Sequence, residues 1–308
     1  MKLASLLLFS ILCAHAATYY VTISGLGGEP DYEQRFKGWA TDIDSSLKKA
    51  GESNVTTMIA PTRDQIRARL EALAREAKPN DALVVMLIGH GTYDGVDYKF
   101  NIPGPDITGA ELASLLDRIP ANRQLVMNAT SCSGASIEFL RKPNRVVIAA
   151  TRSGTEKNAT MFARFWAEAL REPAADTDKN DAISALEAFH YAQRKTKEFF
   201  DTQKRLATEH AVIEDTGKGS GVATAGNGPD PDTGEGKLAE SFTIVRLGAN
   251  AAMAKDPAKK ALLDQKEQIE NAIDELKYQK AAMAADDYKK QLTRLLLELA
   301  RLQAEIDK

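Results

Sequence analysis

The strongest constraint in this sequence is an alternation. Between residues 18 and 170, short apolar runs rich in β-branched residues take turns with amphipathic stretches of helical period. Ala82 to Ile88 (ALVVMLI) is apolar throughout, as expected of a strand buried on both faces. Tyr19–Ile23, Val55–Ala60, Leu125–Ala129 and Val146–Ala150 read as further strands. The stretches 36–50, 63–77, 108–118 and 161–170 read as helices, the second capped by Thr62 with Ile66, Leu70, Leu73 and Ala74 on one face. Strands separated by helices of this length imply βαβ units. The expected fold is therefore α/β, a mostly parallel sheet with helices on both faces. Tyr98 to Ile102 is expected in a small hairpin.

Both ends of the chain differ from this core. Lys2 followed by the apolar run Leu3–Cys13 and the A-x-A site Ala14-His15-Ala16 reads as a signal peptide over residues 1–17, with the mature chain beginning at or near Ala17. The run is too short to span a bilayer, which takes roughly 20 apolar residues. An exported protein, periplasmic or secreted, with no integral membrane segment after signal removal is the expectation. With 40 basic against 43 acidic residues the charge is near balance, which supplies no electrostatic footprint for nucleic acid. From Pro257 the composition shifts to charged residues, Ala and Leu. Leu262, Ile269, Leu276 and Met283 recur every seven residues, and Tyr288, Leu292, Leu295, Leu299, Leu302 and Ile306 form a heptad seam. A helical hairpin over 257–308 is expected, with Ala284–Asp287 capping its second helix. It packs against its own chain or serves an oligomer or partner contact. Between the two ends, 183–208 reads as a long helix, 216–236 as a Gly-rich loop, and Phe242–Leu247 as a strand rejoining the sheet around an 18–250 domain.

In open parallel sheets, function gathers beyond the carboxyl ends of the strands. The residues there are Gly25–Gly28, Gly89-His90-Gly91, Thr130-Ser131-Cys132-Ser133-Gly134 and Thr151–Gly154. Once the signal leaves with Cys13, Cys132 is the lone cysteine of an exported chain: an intermolecular bridge, a buried inert thiol, or a nucleophile. His90, at the end of another apolar run, favours the last if the two strands are neighbours, because a nearby imidazole and exposed backbone N–H groups stabilise a thiolate. The N–H groups of Gly91 and Cys132 are candidates for an oxyanion hole, and the small residues Ser131, Ser133 and Gly134 are expected to keep the sulfur accessible.

An apolar strand ending in His90-Gly91, followed some forty residues later by NATSC132SG, resembles the caspase-like clan of cysteine peptidases. Within it the chain is most similar to the legumain family, in particular its exported bacterial legumain-like members. The similarity runs on through residues 149–162, 185–192 and 207–221, spans 18–248 and leaves the hairpin outside. The resemblance implies a caspase-like fold with the dyad at the carboxyl rim. It implies cleavage of a peptide or protein substrate with Cys132 attacking and His90 protonating the leaving amine, and no cofactor in the chemistry. By position it also suggests Arg35 or Arg152 as the base of the pocket for the residue before the cut. Two departures stand beside these matches: serines flank Cys132 where an acidic residue is common, and no asparagine is assigned to support His90. A catalytically silent binding module and a peptide ligase or transpeptidase using the same dyad are the alternatives.

A second motif, Asp176-Thr-Asp178-Lys-Asn180-Asp-Ala-Ile-Ser184-Ala-Leu-Glu187, places oxygen-bearing residues at positions 1, 3, 5, 9 and 12 of an EF-hand-type loop, with Asp181 where Gly would allow the turn. A structural Ca²⁺ on Asp176, Asp178, Asn180, Ser184 and Glu187, or simply an acidic helix start, is expected.

Overall fold

The computed structural model describes residues 16–223, 228–230 and 233–308; the expected signal peptide lies almost wholly outside them. In chain order the elements are β1 (Thr18–Ser24), α1 (Pro30–Ala50), β2 (Val55–Ile59), α2 (Arg63–Glu76), β3 (Ala82–Gly89), β4 (Gly91–Tyr93), β5 (Tyr98–Phe100), β6 (Ile107–Thr108), α3 (Gly109–Asp117) and β7 (Arg123–Thr130). A 3-10 turn, Ser133–Ser136, leads into α4 (Ile137–Leu140) and β8 (Arg145–Ala149). Then come α5 (Phe162–Ala169), β9 (Ala182–Ser184), α6 (Ala185–Thr202), β10 (Val212–Glu214), α7 (Lys237–Glu240), β11 (Thr243–Arg246), α8 (Gly248–Met253), α9 (Pro257–Gln279) and α10 (Ala285–Ile306).

Six strands form the central sheet in the order β10-β8-β7-β3-β1-β2, all parallel except β10, which runs antiparallel to β8. The α/β expectation is met. Side chains alternate across the strands. Val84, Met86 and Ile88 of β3 join α1, α5 and α6 on one face, through Phe36, Ile43, Leu47, Trp166 and Phe189. Leu83, Val85 and Leu87 join α2 and α3 on the other, through Ile66, Leu70, Leu73, Leu112 and Leu116. Burying each such side chain contributes roughly 1.5–3 kcal/mol, so β3, flanked on both faces, is the anchor of the domain. After β2 the chain crosses back over β1 to lay down β3. The strand order therefore reverses between β1 and β3, where α/β sheets open a crevice.

Several boundaries differ from expectation. Helix α1 begins at Pro30, since proline suits a first helical turn and Asp31 and Glu33 favour its positive end. The expected helix at 183–208 is preceded by β9 and starts at Ala185, where Ser184 and Glu187 form a capping box. It ends at Thr202. Strand β11 does not rejoin the main sheet: it pairs antiparallel with β9, because β2 and the three-residue β10 already occupy the sheet's edges. The hairpin forms, and the seam residues Leu302 and Ile306 are buried near Leu263. Its second helix is not capped by an aspartate: Ala284 holds the cap position without a side-chain bond, and Asp286 and Asp287 sit in the first turn. Helix α9 also docks on the domain, where Arg246 pairs with Asp264 and Glu267 at 2.8 Å each. Among the described residues no helix is long and apolar enough to cross a membrane.

Candidate active site

Strands β3 and β7 are parallel neighbours with Gly89 in register with Thr130. Adjacent strands lie about 4.8 Å apart, so His90 leaves the sheet beside Ser131 and one residue short of Cys132. The two candidate catalytic residues thus share the carboxyl rim, with His90 at the reversal between β1 and β3. The imidazole is held on three sides. One ring N–H donates to the carbonyl of Gly27, in the loop after β1. The rings of Tyr32 and Phe36 on α1 meet it edge-on, with centroids 4.9 and 5.1 Å away. Burial pulls its pKa below the usual 6.5, against the opposing effects of the Gly27 carbonyl and Glu29, so the ring is neutral at pH 7.

Cys132 begins the turn after β7 with φ 58° and ψ 11°, a left-handed conformation uncommon for a residue with a side chain. Strain of this kind collects at functional positions. A buried polar net fixes the strand end beneath it. Asn128, fully buried, donates to Ser136 Oγ at 3.0 Å and accepts from Thr130 Oγ1 at 2.8 Å, and the Tyr98 hydroxyl lies 2.6 Å from Thr130 Oγ1. Sequence reading missed this net. Its only signal is polar residues inside a run otherwise buried.

The ladder between β4 and β5 explains how the sulfur is met. Asn101 N–H donates to the His90 carbonyl, and Gly91 and Tyr93 stand opposite Phe100 and Tyr98. Hydrogen-bonded and non-bonded pairs alternate in antiparallel ladders, so Gly91 and Tyr93 turn their N–H groups away from β5. The Tyr93 N–H is directed at the Cys132 sulfur, and the Gly91 N–H leaves the same strand edge. Glycine is required at 91 because a Cβ there would stand 2.5 Å from the Ser131 carbonyl oxygen.

The other half of the expected oxyanion hole is closed. The Cys132 N–H donates to the Glu156 carbonyl at 2.9 Å, and the cysteine is only 2% exposed. Burial raises the thiol pKa above its usual 9.0, outweighing the lowering by Lys157 and by the Tyr93 N–H. Among the described residues no hydrogen bond joins thiol and imidazole. The sulfur packs with the α2–α3 side of the core while the imidazole faces α1. The small residues flanking Cys132 do not expose it. Ser133 bonds to Thr151 Oγ1 and accepts from the Thr151 N–H, and Gly134 lies so close to Arg152 and Ser153 that a Cβ would clash.

The segment that closes the site is itself anchored. The Glu156 carboxylate accepts from the N–H groups of Arg152 (2.9 Å) and His210 (3.1 Å) and lies 2.5 Å from the His210 ring. Next to it, Glu209 accepts from Met161 and Phe162 N–H at the start of α5. Arg152 is exposed on this loop. Arg35 is exposed on α1, paired with Asp31 at 2.6 Å, and its guanidinium lies over the Tyr32 ring that touches His90. The structure brings neither arginine into a pocket with Cys132. A cavity of about 630 Å³ lies at the opposite rim, between the sheet and α9, lined by Tyr20, Glu52, Arg123, Ile244 and Arg246.

In the 176–187 loop the carboxylates of Asp176, Asp178 and Glu187 come within 4.8 Å of one another. Asp181 takes the left-handed turn, φ 59°, that glycine was expected to provide. Asp178 is pushed up to about 6, by burial first and then by Glu187. These three could hold a divalent cation. Ser184 Oγ donates to Glu187 as part of the cap, and the Asn180 side chain donates to Asp178 and accepts from Ala182 N–H.

No protein-family description matches the chain, and no curated protein matches it in sequence. Among solved structures it is similar to caspase-1 from Spodoptera frugiperda, at 14% identity over 65% of this chain and 87% of that one, TM-score 0.48. It is also similar to the Drosophila initiator caspase Dronc, at 11% identity over 66% and 80%, TM-score 0.46.

Proposed function

We propose that the protein is an exported, legumain-like cysteine peptidase acting through Cys132 and His90. The observation that carries the reading is the placement of an imidazole, fixed on the Gly27 carbonyl at the sheet's reversal, one strand away from a strained cysteine. In the reaction the turn carrying Cys132 must first swing its sulfur out of the α2–α3 side of the core toward the imidazole; the thiol proton then passes to His90 as sulfur bonds to the scissile carbonyl carbon. The oxyanion forms beside the Gly91 N–H and, once Glu156 withdraws, the Cys132 N–H. His90 then protonates the amine as the C–N bond breaks, and water deprotonated by His90 hydrolyses the thioester. A peptide ligase would differ only in letting an amine resolve that thioester, which product masses distinguish. Ca²⁺ held by Asp176, Asp178 and Glu187 would brace the turn between β9 and α6 and take no part in these steps.

A catalytically silent binding module is favoured by one observation, the buried sulfur without an imidazole partner. The deciding experiment incubates wild type, Cys132→Ala and His90→Ala with fluorogenic peptides that vary the residue before the cut. The peptidase reading expects cleavage by wild type and a loss of about a thousandfold or more in both variants. Cleavage equal in all three would defeat it.

A further inference from the structure

Strand β10 ends in Glu214, Asp215 follows it, and Glu235 lies at the far end of the Gly-rich loop. Glu214 is fully buried and Glu235 only 4% exposed. One oxygen of Glu214, Oε1, is well served: it accepts from Thr216 N–H and hydroxyl, Lys218 N–H and Gly219 N–H, at 2.7–3.1 Å. The other, Oε2, is buried with no partner among the described residues, and so is Oε2 of Glu235. The two carboxylates lie together. A Cβ placed on Gly219 would stand 2.6 Å from Glu235 Oε1 and 3.5 Å from Glu214 Oε1, so both carboxylates flank that glycine. Asp215 anchors the loop's return by accepting from Gly236 N–H (2.9 Å) and Ala239 N–H (3.0 Å).

Burying a carboxylate oxygen without a donor is costly, and burying two such groups side by side is more so. No ion pair reaches Glu214, Asp215 or Glu235 among the described residues. Two cationic side chains beside the loop are engaged elsewhere. Arg141 donates to the Gly219 carbonyl at 2.9 Å, and the Lys237 ammonium lies over the Tyr278 ring. A hard divalent cation satisfies this arrangement, because it takes oxygen ligands only and accepts carboxylates together with loop carbonyls and water.

We infer that Glu214 and Glu235 bind a divalent cation, Ca²⁺ by chemistry, which pins the Gly-rich loop to strand β10. The site is separate from the 176–187 loop and independent of the peptidase reading. Its role is structural: Gly217 packs on Lys142 and Pro143 just before β8, away from the rim that carries His90 and Cys132.

The test uses the full chain freed of metal with a chelator. Calorimetric titration with CaCl₂, backed by Tb³⁺ luminescence, compares wild type with Glu235→Gln and Asp178→Asn. The expected result is saturable Ca²⁺ binding that weakens about tenfold or more in Glu235→Gln and persists in Asp178→Asn. In chelator, Glu235→Gln should melt higher than wild type, since it removes a buried like charge, and should lose its calcium-dependent rise. Absence of saturable binding in wild type would overturn the proposal. So would binding that Glu235→Gln leaves unchanged, or a proton shared between the two carboxylates that titrates near pH 7 without responding to calcium.

Discussion

At the scale of single residues, the resting site is a neutral pair. Burial lowers His90 and raises Cys132, so near pH 7 the imidazole is unprotonated and the thiol intact. Alkylation of Cys132 by iodoacetamide in the resting protein should therefore keep rising with pH beyond 9, because only the thiolate reacts. A plateau reached by pH 7 would mean that thiol and imidazole already form an ion pair. The loop that covers the thiol depends on His210 and Glu156, 2.5 Å apart. His210→Ala removes a bond worth about 1 kcal/mol net, which should speed alkylation roughly fivefold if the loop's opening limits access. The rim positions of His90 and Cys132 were legible in the sequence because each follows an apolar run. Glu156 was not, because it blocks the site with a main-chain carbonyl, a group every residue has.

Among the elements, local signals located the larger ones well. The continuous run at 82–88 is the central β3, and the heptad positions of α10 mark the side that packs on α9. Short strands escaped. The three residues of β10 carry no period, yet they take the sheet edge that Phe242–Leu247 was expected to reach, and β11 pairs with β9 instead. Ser184 joins these two levels. It caps α6 through a bond from Glu187 N–H, while Glu187 also receives bonds from Thr177. Ser184→Ala should destabilise the protein by about 1 kcal/mol in urea denaturation. A change within error would show that the turn between β9 and α6 is held without the cap.

For the whole molecule, the sheet separates two kinds of chemistry. The carboxyl rim holds the proposed dyad under a closed loop, and two buried acids, Glu209 beside that loop and Glu235 beside β10, make stability depend on pH. Glu209 and Glu235 are both pushed up to about 7, in each case by burial first. Between their unfolded value near 4.5 and that pH, the folded state binds more protons than the unfolded one. Stability from these groups should therefore fall as pH rises through this window. Thermal unfolding should show a higher melting temperature near pH 5.5 than near 7.5, with a shallower slope in Glu209→Gln. An unchanged slope in that variant would assign the pH dependence to other groups.

The central claim is that Cys132 is a nucleophile served by His90, and intact mass after exposure to a peptide carrying a thiol-reactive electrophile tests it most directly. A single adduct, mapped to Cys132, should form faster in His210→Ala and at least about tenfold more slowly in His90→Ala. An adduct that forms equally fast with His90 removed, or no adduct on Cys132 once the covering loop is loosened, would contradict it.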